Sequence, residues 1–134
     1  MINSLFQHSS YLGKALDATW MRNEVINNNI ANVDTPGFKS SKVRFEDVLK
    51  EAAENKNVSL KTTSDKHIKS KNTLDTIEPF VEKDIISAMR MDGNNVDIEA
   101  EQADLAKNAI EYYTLVSKLN SHYSRIRYAI NEGK

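Results

Sequence analysis

The C-terminal third of the chain carries an apolar pattern that leaves few choices of fold. Ile98, Gln102, Leu105, Ala109, Tyr112, Val116, Leu119, Tyr123, Ile126 and Ile130 alternate steps of four and three. That is the signature of one helix face with a coiled-coil seam, interrupted by a single polar member at Gln102. No Gly or Pro falls inside the run. The pattern predicts a helix over 98–130, about 50 Å long at 1.5 Å per residue. Asp97 is placed to cap it. Glu99, Glu101 and Asp104 sit at its positive end, and Arg125 and Arg127 toward its negative end. A helix of this length with an apolar stripe needs a second helix to cover it.

The N-terminus offers that partner. Leu5, Leu12, Thr19, Ile26 and Val33 fall seven apart, with Leu16 and Ile30 on the same face and Ser9 and Asn23 as polar members. This predicts a helix over about 4–32. Ser9 or Ser10 offers a later start, and Gly13 weakens the interior by roughly 1 kcal/mol relative to Ala. Asp34-Thr35-Pro36-Gly37 stops the helix: Pro36 fixes the second turn position, and Gly37 supplies the positive φ that a type II turn needs at the third.

Asn23, Asn27, Asn28, Asn29 and Asn32 crowd the end of this first helix. Asn is a poor helix former because its amide competes for backbone groups. Two readings of the cluster follow. Either the amides bond across an interface and fix register, or they belong to a frayed, solvated end. Trp20 likewise reads as a flank of the internal core or as an exposed interface anchor. Tyr112 and Tyr123 fall on the seam. Tyr113 and Tyr128 fall off it, and either contact neighbouring subunits or cover loops.

Residues 40–94 change character, and no period dominates in 55–76. Val43 to Leu49 fits a short strand or a helical turn, and Glu46 to Glu54 leans helical. Phe80-Val81-Glu82 and Ile85-Ile86 read as short strands, and Asp92-Gly93-Asn94-Asn95 as a turn. Residues 55–76 are polar and Lys-rich, which reads as a solvated linker better than as a phosphate-binding tract. The expected fold is therefore mainly α: long N- and C-terminal helices pair as a coiled-coil-like hairpin. The expected segments are 1–39, with the first helix and turn, a middle of 40–94 with little core, and 95–134 with the heptad helix.

Chemistry is scarce. There is no cysteine, so disulfides and thiolate metal sites are excluded. His8, His67 and His122 lack metal-ligand spacing, the four glycines form no phosphate loop, and no nucleophile elbow is present. No cofactor and no enzymatic activity are expected. The net charge of -1 is spread along the chain and argues against nucleic acid or membrane-surface binding. Met1 to Leu16 lacks the features of a cleaved signal peptide, and no apolar run approaches a transmembrane span. With hydrophobic residues at 40% and a mean hydropathy of -0.57, the chain buries limited apolar surface alone. Part of its stability is expected from partners.

The run Asn28 to Lys39, NNIANVDTPGFK, together with Arg22, resembles the N-terminal signature of flagellar rod, hook and related axial proteins. Asp92 to Leu105, DGNNVDIEAEQADL, with Asn108 to Tyr113 and Leu119-Asn120, is similar to proximal rod members of that family. The resemblance covers roughly 1–46 and 88–131. It implies a structural subunit of the basal-body rod, self-associating and packing its terminal helices into a torque-transmitting shaft in the periplasm. It further implies export by the flagellar type III apparatus without a cleaved signal. Other rod subunits, the FliE junction protein and the MS-ring protein are the implied neighbours. On this basis Asn28, Asn29, Ile30, Asn32, Asp34, Pro36, Gly37 and Phe38 are expected to be critical for assembly, the asparagines through lateral contacts. Leu105, Tyr112, Val116, Leu119, Tyr123 and Ile126 are expected to hold the helix pair. The alternatives are a sibling axial subunit (FlgC-like) and a cytoplasmic coiled-coil adaptor, which explains the seams but not the NNIANVDTPGFK run.

Overall fold

The computed structural model describes residues 2–54, 78–85 and 90–132, with side chains placed for 8–50, 78–85 and 90–131. The chain runs α1 (Ile2–Ala31), β1 (Ser41–Arg44), α2 (Glu46–Glu54), β2 (Phe80–Lys83) and α3 (Ile98–Glu132). The two long helices pack together, and β1 lies against α1. The expected helical hairpin is the framework of the molecule. Helix α1 starts two residues before its expected start and stops one short of its expected end, α3 runs two residues past its expected end, and α1 continues straight through Ser9 and Ser10. Asp97 caps α3, its Oδ1 accepting from the N–H groups of Glu99 at 3.0 Å and Ala100 at 3.3 Å.

The hairpin holds its register over a long distance. Asn29 bonds to Glu101 at one end, and the rings of His8 and His122 stand 5.1 Å apart toward the other. Three heptads separate Asn29 from His8, and three separate Glu101 from His122, so the helices do not slip against each other between these rungs. Two further polar contacts fall between them. Asn108 donates to the Thr19 carbonyl at 2.9 Å, and Arg22 donates to Glu111 at 2.9 Å.

The face that α3 turns to α1 differs from the expected seam by one column. Leu105, Leu119 and Ile126 are half-buried there as expected. The column beside them consists of Glu101, Asn108, Leu115 and His122, and not of Gln102, Ala109, Val116 and Tyr123. Glu101 and Asn108 are buried, whereas Gln102 and Ala109 are exposed. Tyr112 and Tyr123 remain 39% and 54% exposed, and Val116 is half-buried. The physical reason is that α1 offers polar partners at those heights. Adjacent columns of a heptad are distinguished only by what faces them. The side chain of Leu5 lies outside the described residues.

The middle segment is more structured at its margins than its composition suggests. Ser41–Arg44 pairs antiparallel with Phe80–Lys83, with Val43 opposite Val81. Two arginines stitch this hairpin down. Arg44 bonds Glu82 at 3.0 Å and Asp47 at 2.9 Å. Arg22 of α1 bonds Glu46 at the start of α2 as well as Glu111. Phe45, 5% exposed, packs on Ala18 of α1, with Ala15, Val48 and Leu49 around it. The expectation of little core therefore fails at Val43 and Phe45, both buried. Ile85 follows β2 and is exposed. The Lys-rich tract and Ile86 lie outside the described residues.

The core is unusual in kind. Among the described residues the buried apolar side chains are Ala18, Ile26, Val43, Phe45 and Val96. The buried polar ones are Thr19, Asn29, Ser40, Asn94, Asn95, Glu101 and Asn108. Such a core stands only if its polar groups find one another, and most of that pairing occurs where α1 ends.

Candidate functional site

Helix α1 ends in a staircase of short backbone bonds. Asn32 N–H reaches the Asn28 and Asn29 carbonyls, Val33 reaches Ile30, and Thr35 reaches Asn32. Phe38 N–H then closes a turn onto the Thr35 carbonyl at 3.2 Å. Pro36 holds the second position of that turn, and Gly37 the third with φ of 71°. This is the turn that the Pro-Gly pair predicts.

A second loop grips this turn. Asn94 is fully buried, and its Nδ2 lies 3.0, 3.0 and 2.9 Å from the carbonyls of Asn32, Val33 and Thr35. These carbonyls belong to the turn that follows the end of α1 at Ala31. One side chain thus pins that turn from across the chain. Its Oδ1 accepts from Val96 N–H at 2.7 Å, so the same amide also sets the approach to α3. Gly93, with φ of 82°, lets its loop come close. Gly37 N–H donates to the Asp92 carbonyl at 2.9 Å, and a Cβ on Gly93 would stand 3.7 Å from Gly37 Cα. Arg90 adds a bond to the Val33 carbonyl at 3.0 Å and faces Asp34 at 3.7 Å and Asp92 at 3.6 Å. The neighbouring Asn95 accepts from Ser40 N–H at 2.7 Å and donates to the Asp84 carbonyl at 3.2 Å.

One turn back along α1, Asn29 performs a related task. Its amide bonds both backbone groups of Ser41, accepting from the N–H at 3.0 Å and donating to the carbonyl at 2.9 Å. It therefore acts as a strand partner for β1. Its other N–H goes to Glu101 Oε1 at 3.0 Å. Burial pushes the Glu101 carboxyl above its ordinary range. Asp104 and Asp97 push the same way, while the Asn29 bond and Lys42 oppose them.

The sequence-expected site residues thus fall into two groups. Asn29 is buried, with both amide N–H groups donating and its oxygen accepting from Ser41, so it is not available for a lateral contact with a neighbour. Asn32 is spent locally, donating to the Asn28 carbonyl at 2.8 Å and accepting from the Thr35 hydroxyl at 3.2 Å. Asn28, Asp34, Pro36 and Gly37 are exposed. Ile30 and Phe38 are half-buried, and the Phe38 ring lies 5.9 Å from Lys83 Nζ. The result is a rigid tip, Asp34-Thr35-Pro36, held out from a polar clasp. Asn94, Asn95, Glu101 and Asn108 escaped the sequence reading. The one signal for them is a pair of asparagines directly before a capped helix. Of the open aromatics, Trp20, Tyr113 and Tyr128 are all exposed, at 65%, 72% and 64%. No group of three or more potential metal ligands occurs among the described residues.

The two stretches joined by this clasp are those that carried the family resemblance, and comparison with known proteins agrees. A family profile described as "Flagella basal body rod protein" matches residues 12–39. The chain is 37% identical over 127 residues to "Flagellar basal body rod protein FlgB" of Borreliella burgdorferi, covering 91% of this chain and 93% of the relative. The protein of the same name from Bacillus subtilis is 32% identical, with 92% of each chain covered. That from Borrelia hermsii is 41% identical, with 81% of this chain and 83% of the relative covered. The chain belongs to the FlgB family of flagellar basal body rod proteins, and is a structural subunit of the rod.

Proposed function

We propose that this subunit takes a proximal place in the rod, next to the MS-ring protein and the FliE junction protein. It travels there through the flagellar type III apparatus without a cleaved signal. The observation that carries the assembly role is the division of labour around the clasp. Amides hold Asp34-Thr35-Pro36 rigid yet exposed, and α3 keeps Tyr112, Tyr123 and Val116 only partly covered by α1. A chain that fixes a polar tip and leaves aromatic side chains open on a long helix is built to be completed by neighbours. The tip residues Asn28, Asp34, Pro36 and Gly37 act in contacts along the shaft. Asn29, Asn32, Ile30 and Phe38 act by shaping the tip. Leu105, Leu119 and Ile126 hold the hairpin.

The test is a clean gene deletion followed by electron microscopy of basal bodies. Rings without rod or filament, restored by the intact gene, support the proximal assignment. A rod that grows past its base and stops further out places the subunit elsewhere. Complete flagella in the deletion strain refute the role.

A further inference from the structure

The outward faces of the two long helices carry opposite charges at the same spacing. On α1 the side turned from the core holds Asp17, Trp20 and Glu24, all exposed. Trp20 is the single tryptophan of the chain and is 65% exposed. Asp17 and Glu24 lie one heptad apart, about 10 Å along the axis, on one side of Trp20. On α3 Lys118 and Arg125 are exposed and also one heptad apart. Arg125 lines a shallow hollow of about 600 Å³, together with Tyr113, Val116, Ser117 and Ser121. Lys118 stands on the same edge, two turns back. Among the described residues none of these four charges has a salt-bridge partner, whereas Arg22, Arg44 and Arg90 are all paired.

We propose that the hollow on α3 receives Trp20 from a second copy of the chain, with Asp17 against Arg125 and Glu24 against Lys118. A large aromatic ring left open on a helix, with Arg on the facing surface, is the residue pairing in which contact energy concentrates. Arg125 beside the indole adds an attraction to the ring face. The charge pairs stay at the rim, where water reaches them, so they select partner and register more than they add affinity. The order of the charges also fixes direction. The acids lie to one side of Trp20 and the bases to the corresponding side of the hollow, so they meet when the two helices run antiparallel. Helices α1 and α3 already run that way within each chain, and copies stacked in one orientation repeat it.

The register is staggered. Within one chain Asn29 faces Glu101 and His8 faces His122, which puts Arg125 at the height of residue 5. In the docked pair Arg125 faces Asp17 instead, twelve residues further along, so successive copies are displaced by about 18 Å along the helix axis. Two different surfaces meet with an axial step, so the contact propagates and does not close into a dimer. This rests on the rod-subunit reading and names the surfaces through which copies meet.

Three full-length variants expressed in the deletion strain test it: Asp17→Lys/Glu24→Lys, Lys118→Glu/Arg125→Glu, and all four changes together. Each reversed pair is expected to lower the subunit recovered in basal bodies roughly tenfold or more, because like charges then face one another. All four changes together should restore most of it. Reversed pairs that assemble normally overturn the proposal. So does a combined variant no better than the pairs, the outcome if either face meets a different protein. If circular dichroism shows that a reversed pair does not fold, Asp17→Cys/Arg125→Cys asks the same question without like charges. The chain has no cysteine of its own, so oxidised basal bodies should then give a ladder of oligomers that neither single variant gives. A missing ladder overturns the proposal. Absence of the unsubstituted chain from basal bodies overturns the rod reading itself, so the two failures are distinct.

Discussion

Asn29 and Glu101 meet at 3.0 Å inside the helix hairpin although 72 positions separate them in the chain. The bond joins α1 to α3, and through the Ser41 backbone the same amide holds β1. Replacing Asn29 by Asp sets a second carboxylate against a buried one and removes the donor to Ser41. The expected loss is roughly 3 kcal/mol or more, as for other uncompensated buried charges. Combining it with Glu101→Gln should recover part of that loss, because the pair then couples through one amide and one carboxylate. A double-mutant cycle by chemical denaturation reads the coupling, and strictly additive effects would show that the contact is idle.

Glu101 also sets a pH dependence. Its folded-state pKa is raised, chiefly by burial. A raised acid binds its proton more tightly when folded, so this group favours folding at acid pH. The contribution is lost as pH rises from the ordinary carboxylate range through the raised folded value. At neutral pH the buried carboxylate is a net cost. Glu101→Gln keeps the acceptor for Asn29 and should stabilise the isolated chain there by on the order of 1 kcal/mol, with the gain fading toward pH 4. Urea unfolding at both pH values checks this, and a variant less stable at neutral pH would falsify the sign.

Asn94→Ala should cost about 2–3 kcal/mol, because it leaves the turn after α1 and the Val96 amide without their partner in a buried place. The same change should free the Asp34-Thr35-Pro36 tip. Hydrogen exchange ought to show faster exchange at Thr35, Gly37 and Phe38 than at mid-α1. Uniform acceleration along the helix would mean that Asn94 supports global stability without holding the turn.

Gly37 and Gly93 both have positive φ; a Cβ at Gly37 meets nothing within 4 Å, and one at Gly93 makes only an ordinary contact, 3.7 Å from Gly37 Cα. The cost of substitution is therefore conformational, roughly 1–2 kcal/mol for Ala at each. Asn tolerates this region better, so Gly37→Asn should lose less than Gly37→Ala. Thermal melts rank the variants, and a reversed order would point to a packing role for Gly37.

Leu119→Asp puts a charge into the half-buried column of α3 that faces α1. It should destabilise the hairpin by on the order of 2 kcal/mol and abolish rod assembly, read as loss of motility on soft agar. Normal swarming would remove Leu119 from the working seam.

What was legible in the sequence follows the range of the chemistry. The two helices, the Asp97 cap and the Pro36-Gly37 turn depend on residues within a few positions of one another, and periodicity or turn chemistry reports them. The strand at Ser41–Arg44 and the burial of Phe45 were half legible, as a short apolar run of undecided type. The clasp was not. Nothing in the run Asn94-Asn95 says that the Asn94 amide reaches carbonyls about sixty positions upstream. Glu101 read only as a charge at the positive end of α3, and Asn108 only as part of the family resemblance, because their partners sit on another helix. A one-column shift of the seam leaves the apolar spacing almost unchanged, so only the facing helix decides between columns.

The polar rungs along the hairpin bear on how it carries load. Apolar side chains packed in a seam resist separation, but they slide past one another at little cost, because their attraction has no direction. Hydrogen bonds do have direction. Sliding α3 along α1 by one residue displaces each rung by about 1.5 Å, enough to break Asn29–Glu101, Arg22–Glu111 and Asn108–Thr19 together. Axial shear therefore meets several bonds in parallel, and the helix pair behaves as a keyed joint that either holds its position or lets go all at once.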